Sequence, residues 1–146
     1  MLIAGLIAGL LPALLPAAAF AEDGIVGVWL TEDRDSKIEF AACGDDELCG
    51  RIVWLLQPED ENGMPYKDTR NPDPALRERP ILGLTIFEGV RPTGDEGKWR
   101  GTVYNPEDGD SYKTFISLLQ NGGLKVKGCI LGGLICDSSY WTKSSL

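Results

Sequence analysis

From residue 24 onward, apolar side chains recur at every second position in short runs, and Gly, Pro, Asn and Asp separate the runs. Alternate residues of an extended chain reach one face, so this period of two predicts strands with one dry and one wet side and leaves no room for a long amphipathic helix. The pattern predicts strands at Gly24–Trp29, Ser36–Phe40, Leu48–Leu56, Ile81–Phe87, Gly97–Tyr104, Ser111–Leu118, Leu124–Ile130 and Ser138–Lys143. In the third, Leu48, Gly50, Ile52, Trp54 and Leu56 share a face; in the fourth, Leu82, Leu84 and Ile86 do; in the fifth, Trp99, Gly101 and Val103; in the sixth, Tyr112, Thr114, Ile116 and Leu118.

The breaks between runs are hairpin turns. Asn105-Pro106-Glu107-Asp108-Gly109 and Asn121-Gly122-Gly123 each join two alternating runs, and such residues supply the local hydrogen bonds and left-handed conformations of tight turns. Strands linked in this way form an all-β, up-and-down antiparallel meander. About eight of them are expected to close into a barrel, because closure removes exposed edges; a two-sheet sandwich is the rival. One connection differs. Residues 57–80 are rich in Pro and in charge of both signs and lack strand character. Asp73 is expected to cap a short helical turn there, with Pro74 at its first position. A connection this long in a small domain is often functional.

Residues 1–21 are uncharged and almost wholly apolar, and end in Ala19-Phe20-Ala21 before Glu22-Asp23. That pattern predicts a secretory signal peptide cleaved after Ala21, with Pro12 and Pro16 arguing against a retained membrane helix. The basic residues that open most such leaders are missing, which leaves open a start upstream of Met1. Residues 22–146 then form a single domain in the periplasm or outside the cell, touching membrane only through the leader before cleavage. Its net charge of −8 disfavours nucleic acid and anionic lipid. In an oxidising compartment Cys43, Cys49, Cys129 and Cys136 are expected as disulfides. Pairing within each close pair, Cys43/Cys49 and Cys129/Cys136, is favoured over the other connectivities because each flanks a turn-like segment. A metal would need all four thiolates to converge without histidine, so no metal is expected.

Several stretches carry a resemblance that spans the domain. They are Gly27-Val28-Trp29-Leu30-Thr31-Glu32, Cys43-Gly44 followed by Leu48-Cys49-Gly50-Arg51-Ile52-Val53-Trp54-Leu55, Asn71-Pro72-Asp73-Pro74-Ala75-Leu76-Arg77, Arg79-Pro80-Ile81-Leu82-Gly83-Leu84, Trp99 through Gly109, Lys127-Gly128-Cys129 and Trp141-Thr142. In order and spacing they resemble the bacterial exported family termed domain of unknown function 2147. The resemblance implies a calycin-like (lipocalin-type) barrel and no established activity. Gly27-x-Trp29 is also similar to the opening of lipocalin barrels, where the Trp closes one end and a basic side chain near the last strand packs across it. Lys143 is the candidate for that role here, where Arg is more usual.

The chain has no histidine. This removes Ser-His-Asp and Cys-His catalysis, His-based metal sites and the usual neutral-pH base. Acidic clusters at Asp45–Glu47, Glu59–Glu61 and Glu107–Asp110 would allow carboxylate-pair hydrolysis only if two carboxyls flanked a saccharide cleft; solvated turns, which select Asp and Glu near Gly for local reasons, are the favoured account. Asp60-Glu61-Asn62-Gly63 is similar to part of a calcium loop, yet the EF-hand template puts Pro58 and Thr69 at its first and last ligand positions and fails. Trp54, Trp99 and Tyr112 are candidates for lining a ligand cavity, or for filling the barrel as core. Arg70, Arg77 and Arg79 are candidate anchors for a carboxylate or phosphate, or internal partners for Asp68, Asp73 and Glu78.

The residues therefore favour a non-enzymatic module without a cofactor, binding a small hydrophobic or amphiphilic ligand at a barrel mouth gated by the 57–80 loop. A filled barrel that serves as a structural module or contacts an envelope protein is one alternative. A carboxylate-based hydrolase of envelope polymers is the other.

Overall fold

The computed structural model describes residues 24–146; the expected signal peptide lies outside the described residues. The chain forms eight strands: β1 Gly27–Leu30, β2 Ser36–Gly44, β3 Glu47–Leu55, β4 Thr85–Pro92, β5 Lys98–Asn105, β6 Asp110–Leu118, β7 Leu124–Ile130 and β8 Ile135–Ser144. Each pairs antiparallel with the next, and β1 pairs with β8 through Trp29 and Lys143, which closes the barrel. Closure leaves every strand paired on both sides, so no ladder hydrogen bond is left at an edge.

The two ends of the barrel differ. At one end Gly24 abuts Trp99 and Leu118, on strands across the barrel from β1, so the segment before β1 runs across the opening. Trp29 plugs the same end and donates its indole N–H to the Ile25 carbonyl over 2.8 Å. Phe40, Phe87 and Trp141 meet in the middle, with Phe87 edge-on to Phe40 at 5.0 Å and to Trp141 at 5.7 Å. Burial of each such ring stabilises the fold by roughly 1.5–3 kcal/mol. The other end, where β1 meets β2 and β7 meets β8, stays open.

Register shifts revise two of the expected faces. Lys37 pairs with Trp54 but Ile38 pairs with Ile52, so Val53 is an extra residue in β3. A bulge of one residue reverses the alternation beyond it. Trp54 consequently faces outward beneath Lys37, whose ammonium is 5.4 Å from the ring, and Leu55 packs on the core instead. Likewise β4 begins at Thr85 rather than Ile81. Residues 81–84 form a turn in which Leu84 N–H bonds to the Ile81 carbonyl, and Leu82, expected inside, is exposed. Opposite Gly50 and Arg51, Ile86 is the extra residue of a second bulge.

The disulfides join Cys43 to Cys49 across the β2–β3 hairpin and Cys129 to Cys136 across the β7–β8 hairpin. Both are local, as the spacing favoured. They fit an extracellular or periplasmic protein, and among the described residues no helix is long and apolar enough to cross a membrane.

Candidate functional site

The open half of the barrel holds a cavity of about 620 Å³, within the range of small-molecule sites. Its floor is Phe87 and Trp141, and Ile38, Ile52, Val103 and Val126 form much of its wall. The rim is polar and acidic: Asp35 comes from the β1–β2 turn, Glu107 from the β5–β6 turn and Asp137 from β8, with no Lys or Arg on the lining. Below the floor the barrel is packed solid with Trp29, Phe40, Ile116 and Leu124. The interior is thus filled in one half and hollow in the other.

The 57–80 connection is ordered by its own polar contacts. Glu59 bridges to Pro65 and Lys67 to Pro80, making two small lobes, and Asp73 caps the turn Pro74–Leu76 by accepting from Ala75 N–H. The anchor is Asp68, which is wholly buried. It accepts from the Tyr104 hydroxyl at 2.5 Å, from Asn71 Nδ2 at 2.8 Å and from Arg79 Nε at 2.9 Å. Burial pushes the Asp68 carboxyl up, but the bonds from Tyr104, Asn71 and Arg79 and the Arg79 charge together hold it below its ordinary value. Burial, followed by the carboxylate it donates to, pushes the Tyr104 phenol up to about 12. The loop also passes over the β5–β6 turn, where the Arg70 carbonyl occupies the space a Cβ on Gly109 would need. Only glycine fits there, at φ +78°. Tyr66 and Ile81, at the neck of the loop, line the cavity mouth.

The candidate residues do not converge on one place. Tyr112 lines the cavity wall and donates to Asp108, a bond that pushes its phenol up to about 12. Trp99 is inside the barrel but packs at the closed end, away from the cavity. Trp54 is outside, for the reason given by the Val53 bulge. The three arginines are absent from the lining. Arg79 is engaged by Asp68, with a second nitrogen also at 2.9 Å, and stacks over Tyr104. Arg77 donates to the Asn71 carbonyl at 2.7 Å, and the Arg70 side chain is exposed. Lys143 lies over Trp29 at 4.7 Å and donates to the Val26 carbonyl at 2.8 Å, close against Gly27. The alternation of Leu124 and Val126 with Lys125 and Lys127 places Val126 on the dry face of its strand, whereas Phe87 and Trp141 are not candidates from the sequence. In the last strand Trp141 alternates with Asp137 and Ser139, so apolar periodicity does not mark it, and its inward position follows from its pairing with Leu124.

In the acidic clusters, Glu47 accepts from Gly89 N–H and pairs with Arg91 of β4, and the other contacts are local. Asp60 accepts from the Asn62 and Met64 N–H groups, and Asp108 accepts from Asp110 N–H. Among the described residues, the group with metal-ligand spacing is Cys43, Glu47 and Cys49, and its two sulfurs are bonded to each other.

In structure the chain is similar to protein HP1028 from the human pathogen Helicobacter pylori, which is described as belonging to the lipocalin family. The likeness covers 83% of each chain with a TM-score of 0.68 at 22% identity, a match of fold. No curated protein matches the chain in sequence. Over residues 27–143 the sequence matches a family described as an uncharacterized protein conserved in bacteria, DUF2147. This lipocalin-like barrel, closed at one end by Trp29 and hollow at the other, belongs to the DUF2147 family.

Proposed function

We propose that this is an exported, non-enzymatic binding module that holds a small apolar or amphiphilic molecule in the open half of its barrel. The observation that carries the reading is the cavity itself: an aromatic floor and aliphatic wall enclose apolar space that packing could have filled, as it does below Phe87. Burying an apolar body there gains about 25 cal/mol per Å² removed from water. The rim refines the class. With Asp35, Glu107 and Asp137 at the mouth and no cation on the lining, a neutral or cationic head is favoured and a carboxylate head is repelled. The disulfides and the leader-like N-terminus support a periplasmic or extracellular setting.

A hydrophobic fluorescent probe titrated into oxidised protein tests the reading. Saturable one-to-one binding is expected, accompanied by a change in Trp141 emission. Val103→Trp, which fills the cavity, should abolish saturation while the far-ultraviolet spectrum keeps its β signature. Trp54→Ala, on the outer face, should leave binding intact. A linear signal, or one that Val103→Trp does not alter, would reject the cavity as the site. Among bound amphiphiles, cationic ones should outcompete anionic ones of equal chain length.

A further inference from the structure

The β7–β8 hairpin ends in Ile130-Leu131-Gly132-Gly133-Leu134-Ile135. All four large aliphatics there are exposed, Leu131 at 67% and Leu134 at 85%. The Cys129–Cys136 bond clamps the base of the tip, so it projects as a stiff finger beside the cavity mouth. Leu131 has φ +51°, a left-handed conformation costly for a bulky residue and ordinary for Gly or Asn. A strained leucine pointing into water contributes nothing to packing in this fold.

The surface leading to the finger is charged in an unexpected sense. Although the protein carries a net −8, the outward positions of β5–β8 hold Lys98, Arg100, Lys113, Lys125 and Lys127 and no carboxylate. Within these strands the acids, Asp110 and Asp137, fall on the inward register, and Glu88 of β4, opposite Thr102, and Glu96 of the β4–β5 turn border the face. None of the five cations belongs to an ion pair among the described residues. Phe115 and Tyr140 are exposed on the same face, with Lys127 5.2 Å from the Phe115 ring. From the aliphatic tip along the strands come Lys113, then Arg100, Phe115 and Lys127 at one level, then Lys98, Lys125 and Tyr140 at the next.

We propose that this face docks on an anionic phospholipid surface, the finger entering the bilayer, Lys113 meeting lipid phosphates and the cations behind it facing the negative potential of the surface. Lys113 is level with Cys129, two residues behind Leu131, which at strand rise is about 7 Å. Apolar segments settle about 5–10 Å into the boundary between headgroups and acyl chains. Insertion of the finger therefore sets Lys113 at phosphate depth. Charge complementarity selects anionic lipid, in contrast to the expectation from net charge, because the outward positions of β5–β8 carry cations as their only charges, while Asp35, Glu107 and Asp137 line the cavity mouth on the inward side.

The test is co-sedimentation of the mature chain, residues 22–146, with phosphatidylcholine vesicles made with and without phosphatidylglycerol. It reads vesicle binding only, so it succeeds or fails independently of the cavity. Binding is expected with phosphatidylglycerol, weakened by added salt. Leu131→Ser combined with Leu134→Ser should weaken it by at least about tenfold, and Lys113→Gln by about fivefold. Both sets of side chains are exposed, so the variants keep the fold. Absence of binding, equal binding to pure phosphatidylcholine, or full binding by the finger variant would overturn the proposal. So would a concentration-dependent dimer that the finger variant loses, which would assign the tip to a second copy of the chain.

Discussion

Tyr104 of β5 donates its phenolic hydrogen to Asp68 of the long loop across 2.5 Å, and this bond fastens the loop to the barrel wall. The acceptor is a wholly buried carboxylate, and a hydrogen bond to a buried charge is worth more than a neutral one because its loss leaves the charge underserved. Tyr104→Phe keeps the ring and removes the donor. It should lower stability by about 1.5–3 kcal/mol in urea denaturation, and limited proteolysis should cut residues 57–80 sooner. Unchanged cleavage would mean that Asn71 and Arg79 suffice to hold the loop.

The same pair makes stability depend on pH at both extremes. Asp68 titrates below its ordinary value in the folded state, so its contribution is complete above about pH 4 and is lost as pH falls through the folded pKa. Tyr104 titrates above its ordinary value, near 12. Its contribution is complete below about pH 10 and is lost as pH rises from there. Denaturation midpoints measured across pH should fall at both ends. Asp68→Asn should flatten the acid limb and Tyr104→Phe part of the alkaline one. Tyr112, held up by Asp108, accounts for a further share of the alkaline limb, which phenolate absorbance can separate in Tyr112→Phe.

Gly50 stands where the aromatic core comes closest to the β3 backbone. A Cβ there would fall 2.8 Å from both Phe40 and Phe87, and neither ring can retreat from its packed neighbours. Gly50→Ala is expected to destabilise by about 1–3 kcal/mol through overpacking, seen as a lower thermal midpoint. A neutral effect would show that the rings can repack.

Each disulfide closes a short loop, and the loop-entropy account assigns such a bridge about 2.5 kcal/mol. Cys43→Ser with Cys49→Ser should cost that much in chemical denaturation and leave the barrel assembled, since the β2–β3 ladder continues without it. Loss of the barrel in the far-ultraviolet spectrum would show that the bridge is needed for folding.

Periodicity alone carried most of the architecture. Strands β5, β6 and β7 begin and end within a residue of where alternation placed them, and local cysteine spacing matched the bonds formed. Asp73 and Pro74 announced their capped turn through chemistry confined to a few neighbours. These features were legible because each depends on contacts close in sequence or on a simple count of two.

Other features depend on atoms far apart along the chain. Alternation assumes no inserted residue, so it could not foresee that Val53 bulges and sends Trp54 outward. Residue types told that Asp68 and three arginines share a loop, but the selection of Arg79 and Tyr104 as its partners needed the loop folded against β5. The hollow is the clearest case. Whether Trp141 and Phe87 fill the barrel or merely floor a cavity depends on the diameter of a closed sheet and on which side chains meet across it, and a linear order of residues holds neither quantity.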